Sequence, residues 1–216
     1  RDRTQSRGLG DVYKRQGKYM SVKPKKDDIK SVFAGLRPLA ATSNKQSTKE
    51  VSRSHKIDIS PSGLISVLGG KWTTYRKIAE DALNTAISIN KLKKKKCKTE
   101  RTKLFGFKRN VSWSDPMHVY GSLKKKVESL GGINDNKSLS NKFYISNNII
   151  EWSIIHEMAL TVEDILARRT RCVFLDSKES KRIAPIVAQK MADVLGEDDK
   201  WIDAELKKFN KLIKNY

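Results

Sequence analysis

The sequence predicts an α+β fold, with strands in the first third of the chain and helices alone in the last third. Residues 55–68 show the alternating apolar and polar pattern of two strands joined by a turn. Residues 147–216 repeat apolar residues at the spacing of amphipathic helices. The chain has 216 residues, 38% of them hydrophobic, which is enough for one sizeable core or two small ones.

The start of the chain differs from the rest. Residues 1–16 are polar, show no strand or helix period, and resemble translated adapter sequence. We exclude them from the fold as a non-native scar. The natural protein is then expected to extend upstream of residue 17.

The segment ahead of the hairpin is predicted to form a short buried strand at residues 32–34. Asp27 and Asp28 predict a short turn or helix before it. Gly35 and Pro38 prevent a helix from forming there.

A β-hairpin is predicted next. Residues 55–60 form the first strand and residues 61–63 the turn. The second strand, at residues 64–68, is more apolar and is expected to be more buried; it ends at Gly69 and Gly70.

A helix follows the two glycines. Thr73 or Thr74 can cap its start through a side-chain oxygen, and it should end near Asn90. Its apolar face consists of Tyr75, Ile78, Ala79, Ala82, Leu83, Ala86 and Ile89.

The chain is strongly basic, with a formal net charge of +21. Residues 91–103 hold eight basic residues and one acidic residue. Such a run is usually a solvated linker, but it also favours nucleic acid, a phosphorylated small molecule or an anionic membrane as a partner. No apolar run approaches the ~20 residues that span a bilayer, so any membrane contact would be peripheral.

The cysteines and histidines form no pattern typical of a metal site. Cys97 and Cys172 lack metal-site or disulfide spacing, so reduced thiols in a cytosolic compartment are expected. His55, His118 and His156 are scattered along the chain.

Helices are predicted through the second half of the chain. Residues 118–130 can form one helix, and residues 149–158 form an apolar one. Thr161 is then expected to cap a third helix, with Asp164 at its third position.

The last two predicted helices have clear boundaries. Residues 183–195 form one helix, and Gly196 is placed to end it. Asp198 or Asp199 caps the other. Its apolar face consists of Ile202, Leu206, Phe209 and Ile213.

The glycine-rich turn before the first long helix is a candidate anion site. A strand that ends in Gly69 and Gly70 and leads at once into a helix aims backbone N–H groups at one place. The glycines would let a ligand approach the backbone, and Lys71 adds positive charge. An ordinary tight turn explains the same residues, and the spacing is not that of a P-loop.

Two arginines and a histidine are further candidates. Arg37, held by the proline after it, has the planar fork that suits a phosphate or carboxylate, or a salt bridge. Arg53 taken alone is one more basic loop residue. His55 could carry a proton or be a polar strand residue.

Four segments taken together resemble one family. They are FAGLRPL at 33–39, SRSHKI at 52–57, SGLISVLGGKWTTYR at 62–76 and EMALTVEDILARRTR at 157–171. In this order they resemble the C-terminal portion of the FAD-dependent, quinone-linked glycerol-3-phosphate dehydrogenases. The resemblance covers residues 17–216 and is weakest over residues 91–147.

The resemblance implies the fold and the reaction. The fold would be the remnant of the β-sheet and helix domain of an FAD-dependent oxidoreductase at 17–90, a basic linker at 91–110 and an all-α C-terminal domain at 111–216. The family oxidises sn-glycerol 3-phosphate to dihydroxyacetone phosphate, with FAD passing electrons to quinone, or to oxygen in oxidase relatives. A cytoplasmic protein, peripheral on the inner face of the membrane, and a homodimer are expected; nucleic acid is not.

The resemblance also implies roles for individual residues. Arg37 corresponds to the active-site arginine that contacts the substrate, and Arg53 to a partner that holds its phosphate. Lys71 lies at the substrate and flavin end of the cleft. The residues along FAD are Gly69, Gly70, Lys71, Trp72 and Thr73.

The sequence departs from the family in two respects. The family's other active-site residues, including a histidine and an arginine from upstream segments, are missing. The family's GxGxxG motif, which cradles the FAD pyrophosphate, is absent, since Gly8 and Gly10 stand in the excluded scar. The chain alone is therefore expected to bind FAD poorly and to be inactive. The alternative is a basic interaction module for nucleic acid or a membrane surface, which would show a continuous basic groove or apolar residues beside Lys93–Lys96.

Overall fold

The structure is a computed structural model that describes residues 18–35 and 54–216. It confirms the α+β prediction, since the described residues are mostly helical with one small antiparallel sheet. They form two compact units. Residue 35 and residues 54–105 make up the hairpin unit, and residues 18–34 and 106–216 make up the helical unit. The predicted domain boundaries, with a domain remnant at 17–90, a linker at 91–110 and a helical domain at 111–216, stay predictions.

The hairpin unit begins with the predicted hairpin. Strand β1 (His55–Ile59) pairs antiparallel with strand β2 (Ile65–Gly69), so that His55 lies opposite Gly69. The turn closes because the Ser60 N–H donates to the Leu64 carbonyl at 3.0 Å. The expectation that β2 is the more buried strand is wrong, because its last three residues are exposed.

The predicted helix after the hairpin is helix α1 (Tyr75–Ile89), preceded by a 3-10 turn, Trp72–Thr74. Thr74 stands at the N-cap position, but its hydroxyl donates to the Lys71 carbonyl at 3.0 Å and caps no N–H group. The predicted side-chain cap is therefore wrong. No residue of α1 is buried, and Leu83 is 65% exposed on the face that the spacing predicts to be apolar.

The basic stretch is attached to α1 by one arginine. Arg76 donates to Glu80 at 2.9 Å and to the Thr99 hydroxyl at 3.3 Å, and its guanidinium lies 3.9 Å from Glu100. The part of the basic stretch around Thr99 and Glu100 therefore lies beside the start of α1. Within the described residues, no helix is long and apolar enough to cross a membrane.

The helical unit contains the predicted helices of the second half, but residues 118–130 do not form one helix, because the 3-10 helix there is broken at Gly121 and a short α-helix follows it. Helices α2 and α3 follow a 3-10 helix at Pro116–Leu123, and a π-helix at Asp164–Arg169 stands where the third helix is predicted. The α-helices are α2 (Lys124–Glu128), α3 (Asn147–Glu157), α4 (Cys172–Leu175), α5 (Ser177–Leu195) and α6 (Asp199–Leu212). Short 3-10 turns lie at Lys26–Asp28, as predicted, and at Ile133–Asn136 and Ile213–Asn215.

The main core of the helical unit lies where α3 and α6 pack on α5. Val187 of α5 is fully buried, and Phe209 of α6 is 2% exposed. Cys172 belongs to this core, where burial raises the pKa of its thiol to about 11, so the thiol stays protonated and unreactive. Met158, expected on the apolar face of α3, is instead a left-handed C-cap residue that is 81% exposed.

The predicted caps of the last helices are confirmed. Gly196 ends α5 with a φ of 74°, and Asp198 accepts from the Trp201 N–H at 3.0 Å at the start of α6. The Thr161 hydroxyl accepts from the Asp164 N–H at 3.1 Å, and the carboxylate of Asp164 accepts from the Thr161 N–H at 3.0 Å. This is the reciprocal arrangement that the sequence predicts.

The predicted buried strand at residues 32–34 is wrong. The segment has no regular secondary structure, and Phe33 is 66% exposed. The Val32 N–H donates to the carbonyl of Tyr216 at 2.8 Å, not to a neighbouring strand. A short apolar run cannot distinguish a strand from an irregular segment that packs on distant residues.

A buried carboxylate holds a loop to α5. Glu179, 6% exposed, accepts from the Ser140 hydroxyl at 2.6 Å and from Arg182 at 2.7 Å. Hydrogen bonds from Arg182 and then Ser140 lower the pKa of Glu179 to about 2.

This lowered pKa predicts a loss of stability in acid. The ordinary value is 4.5, so the ionised carboxylate contributes its full stabilisation above that pH and loses it as the pH falls toward about 2. The midpoint temperature of thermal unfolding should therefore fall less steeply with falling pH, between these two values, in Glu179→Gln than in the wild type. Glu197→Gln, at an exposed position without an ion pair among the described residues, should keep the wild-type slope. Equal slopes for all three proteins would contradict the assignment.

Candidate functional site

The candidate site is the turn that joins β2 to α1. Gly69 has a φ of 70° and Gly70 a φ of 86°, both in the left-handed region that side chains rarely adopt. Lys71 returns to an extended conformation, and the 3-10 turn follows at once. The two glycines thus reverse the chain between the end of the strand and the start of the helix.

Gly70 is also the point where the helix packs against the hairpin. A Cβ atom on Gly70 would lie 2.7 Å from Ile78 Cδ1 and 3.2 Å from His55 Cβ. The space on the side where a Cβ would stand is therefore filled by the protein itself, and the approach of a ligand to the Gly70 backbone stays a prediction. Gly70 is required by the backbone conformation and by the packing of Ile78.

His55 fixes the hairpin to the helix. Its Nε2 lies 3.1 Å from Asp81 Oδ2, and Lys77 donates to the same carboxylate at 2.7 Å. The hydrogen bond from Lys77 holds the pKa of the Asp81 carboxyl below its usual range. Of the two interpretations of His55, the polar strand residue is the one that this contact favours. Sequence reasoning missed this network, although Lys77 and Asp81 have the spacing of a helical ion pair.

The outer side of the turn is open to solvent. Lys71 and Thr73 are exposed, and Trp72 is 87% exposed and stacked on Tyr75 with ring centroids 5.6 Å apart. Lys71 forms no ion pair with any residue that the structure describes. N–H groups in a first helical turn lack partners within the helix, so those of Trp72 and Thr73 are available to an acceptor. The surface combines a flat ring, a cation without an ion pair among the described residues, and N–H donors, which suits an anionic or aromatic ligand.

Among the glycines with positive φ in the hairpin unit, Gly63 provides a matched control for Gly70. Gly63 has a φ of 85° with no atom within 4 Å of an added Cβ, so Gly63→Ala should cost only backbone strain, about 1 kcal/mol. Gly70→Ala adds the collision with Ile78 and should cost about 2–4 kcal/mol. Hydrogen exchange of the β1 and β2 amides in the full chain measures the difference. Equal exchange in the two variants would show that the space beside Gly70 is not filled.

The two remaining predicted site residues belong to other parts of the sequence. Arg37 and Arg53 lie outside the described residues, so their roles stay predictions. The turn itself contains the five residues predicted to lie along FAD, which are Gly69, Gly70, Lys71, Trp72 and Thr73. Among the described residues, no group of three or more His, Cys, Asp or Glu side chains could hold a metal ion.

Comparison with known proteins decides the family. The family model for the C-terminal domain of alpha-glycerophosphate oxidase matches residues 65–202. The chain belongs to this family. The matched residues include β2, the glycine turn, α1, the basic stretch and the helices up to the start of α6.

Individual relatives agree with this. The mitochondrial glycerol-3-phosphate dehydrogenase of Bos taurus is 30% identical over 216 residues, which cover 89% of this chain and 29% of the relative. The Homo sapiens protein of the same name is 30% identical over 202 residues, 82% of this chain and 27% of the relative. The probable enzyme of Dictyostelium discoideum is 32% identical over 220 residues, 91% of this chain and 34% of the relative.

These matches identify the chain with the C-terminal portion of a glycerol-3-phosphate dehydrogenase. The chain spans about a third or less of the length of these relatives. Their names place them in mitochondria, whereas the sequence led us to expect a cytoplasmic protein. The compartment of this protein stays a prediction.

Proposed function

We propose that the intact protein oxidises sn-glycerol 3-phosphate to dihydroxyacetone phosphate with FAD and passes the electrons to quinone. In this proposal the hairpin unit is the remnant of the domain that binds FAD and substrate. The chain alone, which has no GxGxxG motif in its sequence, binds FAD poorly and is inactive.

The observation that carries this proposal is the exposed turn between β2 and α1. Its residues fit one part of a flavin, because Trp72 presents a flat face and the first-turn N–H groups of Trp72 and Thr73 are available to an acceptor. FAD supplies the acceptor for a hydride, which leaves negative charge on its ring system. Fixed N–H dipoles that face this charge stabilise it without reorganisation.

The substrate would be held by cations. Lys71, exposed and without an ion pair among the described residues, is available for a phosphate. We assign Arg53 to the same phosphate and Arg37 to the reacting end of the substrate. When the substrate carbon gives its hydride to FAD, the proton of the hydroxyl on that carbon would pass to water, and an arginine beside the oxygen would stabilise the charge that develops there.

The unburied surface of the hairpin unit supports a larger parent domain. Leu64 is 65% exposed and Leu83 of α1 is also 65% exposed. Large apolar side chains at such density mark a surface that packs against further protein. In the proposal this surface packs against the rest of the FAD-binding domain.

A peripheral membrane contact is part of the proposal, because quinone lies in the membrane. Leu92 is 58% exposed directly before Lys93–Lys96, and Phe105 is 90% exposed. Basic residues beside exposed apolar ones favour an anionic membrane surface. Pelleting of the intact protein with anionic vesicles but not with neutral ones tests this contact.

Turnover of the intact protein tests the proposed function through Lys71. The gene is extended upstream of residue 17, and reduction of a dye or quinone by glycerol 3-phosphate is measured with added FAD. Lys71→Ala should raise KM about tenfold or more, because it removes a charge-assisted contact of at least about 1.5 kcal/mol. Lys178→Ala removes an exposed lysine of α5 that forms no ion pair among the described residues, and should leave KM unchanged. Equal KM values for the two variants would remove Lys71 from the site, and absence of turnover in a folded wild type would refute the function.

A further inference from the structure

One hydrogen bond within the hairpin unit holds both ends of the glycine turn. His55 lies opposite Gly69 in the ladder between β1 and β2. On α1, Asp81 Oδ2 lies 3.1 Å from His55 Nε2, and the nitrogen is the donor because an ionised carboxylate carries no proton. Residues 70–80, which include the whole turn, are therefore held at both ends by a single residue of β1.

This hydrogen bond matters because no residue of α1 is buried. The direction of the helix therefore depends on the contacts that it makes with the hairpin near its start. One of these is the packing of Ile78 beside Gly70, and the other is the hydrogen bond from His55 to Asp81. The two side chains of this bond are 20% and 29% exposed, so it is partly shielded from water and stronger than a fully solvated one.

The direction of α1 decides where the first N–H groups of the turn point. The 3-10 turn Trp72–Thr74 runs directly into α1, so the N–H groups of Trp72 and Thr73 move with the helix. The positive end of the helix dipole moves with them. Such groups stabilise a developing negative charge when they already face the place where it forms. A displacement of about 1 Å can cost a large factor in rate.

We propose that His55 and Asp81 are positioning residues, which hold the first turn of the helix in the direction that stabilises the reduced flavin. This inference rests on the proposed function, which assigns the flavin to the turn. Neither residue is assigned a contact with the flavin, because both act through the N–H groups of Trp72 and Thr73. Lys77 supports the pair, since it donates to the other oxygen of Asp81 at 2.7 Å.

Variants of the intact protein separate positioning from folding. His55→Ala removes the donor and leaves the backbone ladder of β1 in place, whereas His55→Gln keeps an N–H donor on a more flexible side chain. Asp81→Ala, alone and combined with His55→Ala, completes a double-mutant cycle. Lys56→Ala is the matched control, because Lys56 is the next residue of β1 and pairs at 2.9 Å with Asp58 of the same strand.

Hydrogen exchange without added flavin tests the positioning itself. The Thr74 N–H donates to the Lys71 carbonyl at 3.0 Å and so closes the 3-10 turn. Its exchange should be about tenfold faster in His55→Ala and in Asp81→Ala, and no faster in the double variant than in either single one. The amides of β1 and β2 should exchange as in the wild type, and Lys56→Ala should change nothing. Unchanged exchange at Thr74, or equal acceleration of the ladder amides, would overturn the positioning role.

The midpoint potential of the flavin bound to the intact protein tests the consequence. His55→Ala should weaken binding of the reduced flavin about tenfold relative to the oxidised flavin, which lowers the potential of a two-electron couple by about 30 mV. His55→Gln should recover part of this loss, and Lys56→Ala should keep the wild-type potential. Faster exchange at Thr74 with an unchanged potential would overturn the role toward the flavin. A folded wild type that binds no flavin would refute the proposed function and that role with it, while the exchange data would still decide whether His55 holds the turn.

Discussion

Arg37→Ala in the intact protein is expected to lower kcat/KM for glycerol 3-phosphate by about 10²–10³-fold. Loss of an arginine that is hydrogen-bonded to a charged or developing-charge oxygen costs about 3–4 kcal/mol, because the oxygen is left without a partner in a site that excludes water. Each 1.4 kcal/mol corresponds to about a factor of ten. Steady-state reduction of a dye or quinone measures the effect.

Two variants make this result specific. Arg37→Lys keeps the charge but not the planar fork, and should recover only part of the activity. Arg101→Ala removes an exposed arginine of the basic stretch and should leave turnover unchanged. Wild-type turnover in Arg37→Ala would leave the family membership intact but would remove Arg37 from the site.

Phe209→Ala is expected to destabilise the helical unit by about 3–5 kcal/mol. Phe209 is 2% exposed and lies in the main core, so its removal loses buried apolar surface and leaves a cavity. A domain is stable by only about 5–15 kcal/mol, so this single change removes a large fraction of the total. Denaturant unfolding followed by helical circular dichroism measures it.

Phe105 provides the control, because the same side chain is 90% exposed there. Phe105→Ala should change the stability by no more than about 0.5 kcal/mol. Similar unfolding of Phe209→Ala and Phe105→Ala would show that the core is not where the structure places it.

Local signals in the sequence predicted the elements that depend on local interactions. Alternation gave the hairpin, whose register is set by the short turn at residues 61–63. The 3-4 spacing predicted α1, α5 and α6, and single residues marked boundaries, with Gly196 at the end of α5 and Asp198 at the start of α6. Each of these features is decided by residues a few positions apart.

Features set by distant residues were not predictable in the same way. The segment at 32–34 contacts Phe174 and Tyr216, which lie far along the chain, and no local sequence pattern predicts these contacts. The π-helix at Asp164–Arg169 arises where a helix is predicted, and its Arg169 donates to the carbonyl of Glu157 at the end of α3. Such contacts depend on how the helices pack.

The candidate site was predictable in its position but not in its detail. The sequence located the turn at Gly69 and Gly70 and the exposed cation at Lys71. It could not show that Ile78 fills the space beside Gly70, because that depends on how α1 packs against the hairpin. The roles of Arg37 and Arg53 stay predictions.

Anaerobic reduction of the flavin bound to the intact protein is the decisive test of the proposed oxidation of glycerol 3-phosphate. Absorbance of the oxidised flavin is followed after addition of glycerol 3-phosphate, and glycerol serves as the control that lacks the phosphate. We expect rapid bleaching with glycerol 3-phosphate and none with glycerol at the same concentration. A folded protein that binds no flavin, or whose flavin is not bleached by glycerol 3-phosphate, would contradict it.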